Sequence, residues 1–255
     1  MEAHVLREQA DGVLTLTLNR PDKKNALTRA MYQEMADALV AANTENSVRA
    51  VLIQGQPQIF TSGNDIEDFM GSPPRDEDAP VFQFMRAMIN CDKPIVAAVN
   101  GAAIGIGTTL LLHCDFVYVA DDARLAMPFV SLGLVPEFGS SLLVPKLMGP
   151  RRAAEKILLG DPFTGEQAVE CGIANAVLPA GEVVAQARRV AERFNKLPPS
   201  AVRESKQLMR RSTKETLLAT IQAEAEIFGA RLRSPEAMEA FQAFFQKRQP
   251  DFSKF

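Results

Sequence analysis

The chain has 255 residues, 47% of them hydrophobic, which suits one large domain or a core with an appendage. Its formal net charge of −3 argues against a general nucleic-acid binder. Two histidines (His4 and His113) argue against a histidine triad or a histidine-rich metal site, and the widely spaced Cys91, Cys114 and Cys171 read as reduced core thiols.

In chain order, Val13 to Leu18 alternates apolar and polar residues, the pattern of a half-buried strand. A turn-rich basic loop follows from Asn19 to Asn25. Thr28 is a candidate N-cap, with Met31, Met35, Ala38 and Leu39 on one helix face behind it. Val48 to Ile53 is the next predicted strand. Phe60-Thr61-Ser62-Gly63-Asn64-Asp65-Ile66 reads as a strand-to-helix turn, with Asn64 or Asp65 as its cap. Glu67 to Pro80, with Pro73-Pro74 and the acidic run Asp76-Glu77-Asp78, reads as a mobile surface loop. A helix from Val81 to Asn90 is expected next.

Ile95 to Val99 is a short apolar run that suits a buried strand, and three glycines, Gly101, Gly105 and Gly107, follow it. A helix is expected from about Gly107. This stretch is either a close-packed turn or a cradle for an anionic oxygen. It lacks the spacing of a nucleotide loop. Cys114 to Ala120 reads as a strand and Leu132 to Gly139 as a second glycine-punctuated loop entering a helix near Ser140. Further helices are expected over Arg151 to Leu159 and from Thr164 to Gly172, with a short strand from Ile173 to Val177. Val183 to Lys196 is helical in pattern, Pro198-Pro199 breaks it, and Val202–Arg211, Lys214–Leu232 and Pro235–Lys247 are helical too. The chain therefore divides softly near Pro198 into an α/β part (1–197) and an all-helical part (198–255). No repeat of fixed period is visible. The first residues do not read as a signal peptide, and no apolar run is long enough to span a membrane. The expected location is cytoplasmic. Ser253-Lys254-Phe255 loosely matches the peroxisomal address, a lesser alternative.

Two strand-to-helix turns on neighbouring strands could supply two backbone donors to one oxygen, the arrangement of an oxyanion hole. At this point the residues carry a resemblance. Arg20-Pro21-Asp22-Lys23-Lys24-Asn25-Ala26-Leu27, the Ser62–Ile66 turn, the Gly101–Gly107 turn, Pro128 through Ser141 and Lys247 through Phe252 are similar to the crotonase (enoyl-CoA hydratase/isomerase) superfamily. The similarity runs over essentially the whole chain. It implies an α/β fold, a spiral of ββα turns with a helical C-terminal trimerisation region, and acyl-coenzyme A thioester substrates. Residues 1–197 are then the binding and catalytic core and 198–255 the oligomerisation region of a homotrimer or hexamer. The resemblance places the oxyanion donors at Asn64 and Ile106. It puts Lys24 and Ala26 beside the coenzyme A, and Ser62, Gly63, Asp65, Ile66, Gly105, Phe129 and Phe138 around the substrate. Phe244 and Lys247 would reach a neighbouring subunit's nucleotide.

The resemblance leaves the reaction open. A hydratase of this family uses two glutamates, and the matching positions hold Thr109 and Phe129. Glu137 remains, after Pro136 and between Val135 and Phe138. Apolar surroundings raise a carboxyl pKa toward the operating pH, which suits a proton shuttle. The same glutamate could instead be a helix-start residue. The string Leu134 to Ser141 resembles the peroxisomal type of Δ3,Δ2-enoyl-CoA isomerase, whose catalytic glutamate falls on Glu137. Isomerisation of a 3-enoyl-CoA is thus the first expectation. Hydration or another crotonase-type reaction is the alternative, and a non-catalytic acyl-CoA binder the third reading. No metal and no separate cofactor are expected, coenzyme A being part of the substrate. His113, Asp115 and the Asp65, Glu67, Asp68 group read as structural, and Phe69, Met70 and Phe82 as parts of an acyl pocket.

Overall fold

The computed structural model describes residues 3–74 and 78–255. Strands β1 (Val5–Ala10) and β2 (Val13–Leu18) pair antiparallel around the Asp11–Gly12 turn. β2 has the expected bounds but is not half-buried: it is buried at every position except Thr17, which is partly exposed. β1 was not legible, because it is a sheet edge that buries only Val5 and shows no apolar alternation. Helix α1 (Arg29–Thr44) starts where expected: the Thr28 hydroxyl accepts from Met31 N–H.

The chain then repeats one geometric unit. A strand enters a large sheet, a short strand enters a small sheet, and helix follows. The strand pairs are β3 (Ala50–Gln54) with β4 (Ile59–Thr61), β5 (Ile95–Val99) with β6 (Ala102–Ile104), and β7 (Phe116–Ala120) with β8 (Arg124–Ala126). Helices α2 (Ile66–Gly71) and α3 (Pro80–Asn90) follow the first pair, and α4 (Ile106–Thr109) the second. After the third come α5 (Ser140–Met148), α6 (Pro150–Ala154), β9 (Phe163–Thr164), α7 (Gly165–Glu170), β10 (Ala176–Leu178) and α8 (Val183–Arg193). The large sheet runs β1-β2-β3-β5-β7-β10 and the small one β4-β6-β8-β9, parallel except at β1–β2 and β8–β9. This is the α/β spiral of ββα turns expected from the sequence. Its units begin at Ala50, Ile95 and Phe116, so the repeat lies in geometry and has no fixed sequence period.

The core lies against the large sheet. β5 is buried at every position. Helix α8 covers β3, β5 and β7 and buries Val183, Ala187, Val190 and Ala191, one stripe at helical spacing. Thr164 caps α7 through a full capping box with Gln167, two backbone donors satisfied reciprocally. The predicted strand at Ile173 starts later, at Ala176. Ile173 and Ala174 N–H both donate to Ala168 O and complete the end of α7 instead.

Two further differences bear on function. The expected loop from Glu67 is helical in its first part, because Asp65 caps α2 by accepting from Asp68 N–H. Of the acidic run, Asp76 and Glu77 lie outside the described residues. The glycine stretch also contains a strand, β6, between Gly101 and Gly105, so its helix begins one residue early and is short.

Helices α9 (Pro199–Arg211), α10 (Lys214–Arg231) and α11 (Pro235–Phe245) complete the chain. Pro199 starts α9, at a position where a missing N–H costs nothing. Asp115 ties α9 to the sheet. Its carboxylate lies 2.7 Å from Lys206 Nζ and 2.9 Å from Arg210, and it accepts from Ile95 N–H. Among the described residues no helix is long and apolar enough to cross a membrane.

Candidate active site

The first wall of the site is the turn after β4. Gly63 has φ +93°, and a Cβ there would sit 2.9 Å from Ile104 O, so glycine is required. The loop from Arg20 to Leu27 braces this turn. Ser62 N–H donates to Lys24 O, Leu27 N–H to Gly63 O (2.8 Å) and Asp65 N–H to Leu27 O (2.9 Å). Arg20 pairs with Asp65 at 2.6 Å and donates to Ala26 O. Two strings that looked separate in the sequence are therefore one brace. Leu27 and Asn64 form a parallel bridge in which the residues flanking Asn64 make the bonds. Asn64's own N–H therefore points away from Leu27. Its side-chain Oδ1 accepts from the buried Tyr32 hydroxyl.

The second wall is the turn after β6. Gly105 has φ +57° and ψ −119°, a backbone open to glycine. Its N–H donates to Ala126 O, and its carbonyl accepts from Thr108 and Thr109 N–H. Ile106 opens α4, so its N–H has no partner within the helix. A Cβ on Gly107 would lie 2.5 Å from Thr61 Cγ2, which shows how closely the two turns pack.

The third wall is the segment leading into α5. Phe138 and Gly139 are both left-handed, at φ +59° and +73°. The His113 ring stacks on Phe138 with centroids 3.9 Å apart, and its Nε2 lies 2.7 Å from Phe138 O. Burial pushes the His113 pKa down to about 4, so the ring is neutral and Nε2–H donates to that carbonyl. From α10, Glu224 accepts from Gly139 N–H at 2.6 Å, and from Ser141 N–H and hydroxyl. Glu137 itself is 6% exposed, and its Oε1 has no hydrogen-bond partner among the described residues. Burial first, and the Glu224 charge second, push its pKa up to about 8.

These walls line a cavity partly open to solvent, with about 590 Å³ of free space. Asn64, Ile106 and Glu137 line it together with Ser62, Gly63, Ile66, Gly105 and Phe129. Phe69 and Met70 of α2, Phe228 of α10 and Phe241 of α11 complete its apolar lining. An adjoining cavity of about 320 Å³ shares Glu137, Phe69 and Phe228 and adds Phe82, Phe138 and Glu224. Four expected site residues do not line the main cavity. Lys24 is exposed on the bracing loop, Ala26 serves it through its carbonyl, and Asp65 is spent on Arg20 and the α2 cap. Burial pushes the Asp65 carboxyl up, but the Asp68 N–H and Arg20 outweigh it and leave its pKa lowered. Phe138 faces the adjoining cavity. Thr109 is fully buried with its hydroxyl unpartnered, and Phe129 is 4% exposed. Among the described residues no group of three or more His, Cys, Asp or Glu could hold a metal ion.

Tyr32 and Glu224 escaped the sequence reading. Each acts on a residue distant in the chain, and neither stands in a motif. Tyr32 reads as one more core residue of α1, and Glu224 as a charge on a polar helix.

The family model for enoyl-CoA hydratase/isomerase matches residues 8–254. The chain belongs to the enoyl-CoA hydratase/isomerase family. Among this family's members, enoyl-CoA delta isomerase 2 of Rattus norvegicus is 36% identical over 250 residues, 96% of this chain. The chain spans 64% of that relative's length. The 2,3-dehydroadipyl-CoA hydratase of Escherichia coli is 32% identical over 255 residues, covering 98% of each chain. The solved structure of Pseudomonas aeruginosa OdaA superposes with a TM-score of 0.93 at 55% identity, over 95% of this chain and 99% of that one. The crotonase fold is thus common ground, and relatives of similar identity carry different reaction names.

Proposed function

We propose that this protein is a Δ3,Δ2-enoyl-CoA isomerase. The observation that carries the reading is Glu137, a buried carboxyl with an oxygen unpartnered among the described residues, in the cavity that Asn64 and Ile106 also line. One base suits a reaction that removes a proton and returns it two carbons away. In the proposed reaction the thioester oxygen accepts from the Asn64 and Ile106 N–H groups. Ionised Glu137 takes a C2 proton, and the C–H electron pair enters a dienolate whose charge rests on that oxygen. Glu137 then protonates C4, and the double bond moves from C3–C4 to C2–C3. Substrate and product are isomers, so proton transfer alone balances the step without a metal or redox group. Each oxyanion donor is worth about 3 kcal/mol in such a transition state. We assign Lys24 to the coenzyme A phosphates, from its place on the exposed loop beside the Ser62 turn.

Thr109 and Phe129, where a family hydratase would hold its glutamates, offer no carboxylate for water addition. Hydration through Glu137 alone is the second reading, favoured by the name of the Escherichia coli relative. A non-catalytic binder fits less well, since an unpartnered buried carboxyl costs stability. Assaying 3-enoyl-CoA and 2-enoyl-CoA side by side separates the readings. Conjugation of the 3-enoyl substrate is expected to dominate. Robust hydration with little isomerisation overturns the proposal, and tight binding without turnover supports the binder.

A further inference from the structure

Glu137 and Glu224 line the same cavity, 6% and 7% exposed. Burying two carboxyls together is costly, so the arrangement asks for a reason. Both oxygens of Glu224 are engaged: Oε2 accepts from Gly139 N–H, and Oε1 from the N–H and hydroxyl of Ser141. Three donors and no acceptor make the environment of an ionised carboxylate. Those donors, Gly139 and Ser141, lie just beyond Glu137 in the chain. The intervening Phe138 and Gly139 itself are both left-handed, a costly conformation for phenylalanine that must be held from outside. His113 holds the Phe138 carbonyl on one side, and Glu224 grips the next amides on the other. Glu137 keeps an oxygen free.

We propose that Glu224 is a positioning residue for Glu137: it pins the turn that aims the Glu137 carboxyl into the substrate cavity, and it stands beside that carboxyl as a fixed negative charge. This rests on the reading of Glu137 as the proton-shuttling base. A neighbouring negative charge makes Glu137 hold a proton more firmly, which a group that must take a proton from carbon requires. Among the described residues the other titratable groups around Glu137 are few. Tyr32 of α1 has its hydroxyl bonded to Asn64 Oδ1, and His113 is neutral behind Phe138. Helices α2 and α3 bring Phe69, Val81, Phe82 and Met85 to the adjoining cavity, none of them titratable. Of the two causes that raise the Glu137 pKa, burial and Glu224, the second can be removed by changing a single side chain. Because Glu224 lies on α10, the C-terminal helical segment governs the chemistry of a base carried by the α/β part.

The test compares wild type, E137Q, E224Q and E224D as full chains. Carbon-13 labelling of the glutamate carboxyls follows the Glu137 titration by NMR, its signal being the one missing from E137Q. In E224Q the Glu137 midpoint is expected to fall by about one pH unit, and the rising limb of kcat/KM for isomerisation to move with it. E224D keeps the charge but withdraws it by one methylene. It is expected to keep the midpoint and lose about tenfold in kcat with KM little changed. An unmoved Glu137 midpoint in E224Q, or wild-type kcat in E224D, overturns the proposal. If circular dichroism shows E224Q unfolded, the kcat of E224D decides. The NMR titration needs no turnover, so absent isomerase activity would refute the functional reading while the Glu224 effect stays measurable.

Discussion

At Glu137 burial sets both the chemistry and a stability cost. The carboxyl has an ordinary value of 4.5 and stands at about 8 in the folded protein. Between those values the native state holds a proton that the unfolded chain releases. The Glu137 contribution to stability is therefore complete below about pH 4.5 and is lost as pH rises through about 8. Buried neutral His113 contributes with the opposite sign between about pH 4 and its ordinary 6.5, and it does so in wild type and E137Q alike. Urea unfolding at both ends of the window is therefore expected to show wild type losing roughly 2–5 kcal/mol relative to E137Q, which cannot ionise. If wild type and E137Q lose stability in parallel, Glu137 is not the raised group. Beyond the resemblance that singles it out, the burial of Glu137 was legible in the sequence because its neighbours Val135, Pro136 and Phe138 are apolar. Its partner Glu224 was not, because it binds backbone amides more than eighty positions away, and backbone partners leave no trace in residue type. Asp65 taught the converse. Its place beside Asn64 suggested substrate contact, while its side chain is committed to Arg20 and a helix cap.

Among the elements, the two glycine turns decide whether two amides can meet one oxygen. Both were legible, since small residues after short strands leave few other conformations. Strand β6 was not, being three residues long and without alternation. The start of helix α2 was legible in its Asp65 cap, but its extent was hidden by the prolines and acidic residues that follow, although it brings Ile66, Phe69 and Met70 to the cavity. Gly63→Ala tests the first turn. The added methyl meets Ile104 O at 2.9 Å on a backbone at φ +93°, so the turn must shift. A loss of about 1–3 kcal/mol in thermal unfolding is expected, with a larger fall in kcat/KM as the Asn64 N–H moves. An alanine variant with normal turnover would remove Asn64 N–H from the oxyanion hole.

For the whole molecule, docking of the C-terminal helices is what closes the site, since Phe228 and Phe241 line the cavity. Asp115 holds α9 through Lys206, which is 7% exposed. Asp115→Ala leaves that ammonium buried with its carbonyl partner alone, and a loss of about 3–5 kcal/mol in urea unfolding is expected. A loss under about 1 kcal/mol would place this pair among weak surface bridges. Helices α9 to α11 also leave Leu208, Met209, Ile227, Met238 and Phe244 more than half exposed. We propose that copies of the chain cover these side chains in a homotrimer or hexamer. Sedimentation should then give a species about three or six times 27.9 kDa, and a monomer at micromolar concentration would contradict it.

The central claim is that Glu137 alone moves the proton that conjugates the substrate. It is tested most directly by kcat/KM for conversion of a 3-enoyl-CoA to its 2-enoyl isomer, measured across pH for wild type and E137Q. Because the base must be ionised, wild-type kcat/KM should rise with pH through a midpoint near about 8. E137Q should lie about 10²–10⁴-fold below it without that rise. E137Q turning over within about threefold of wild type, or 3-hydroxyacyl-CoA as the main product, would contradict the account.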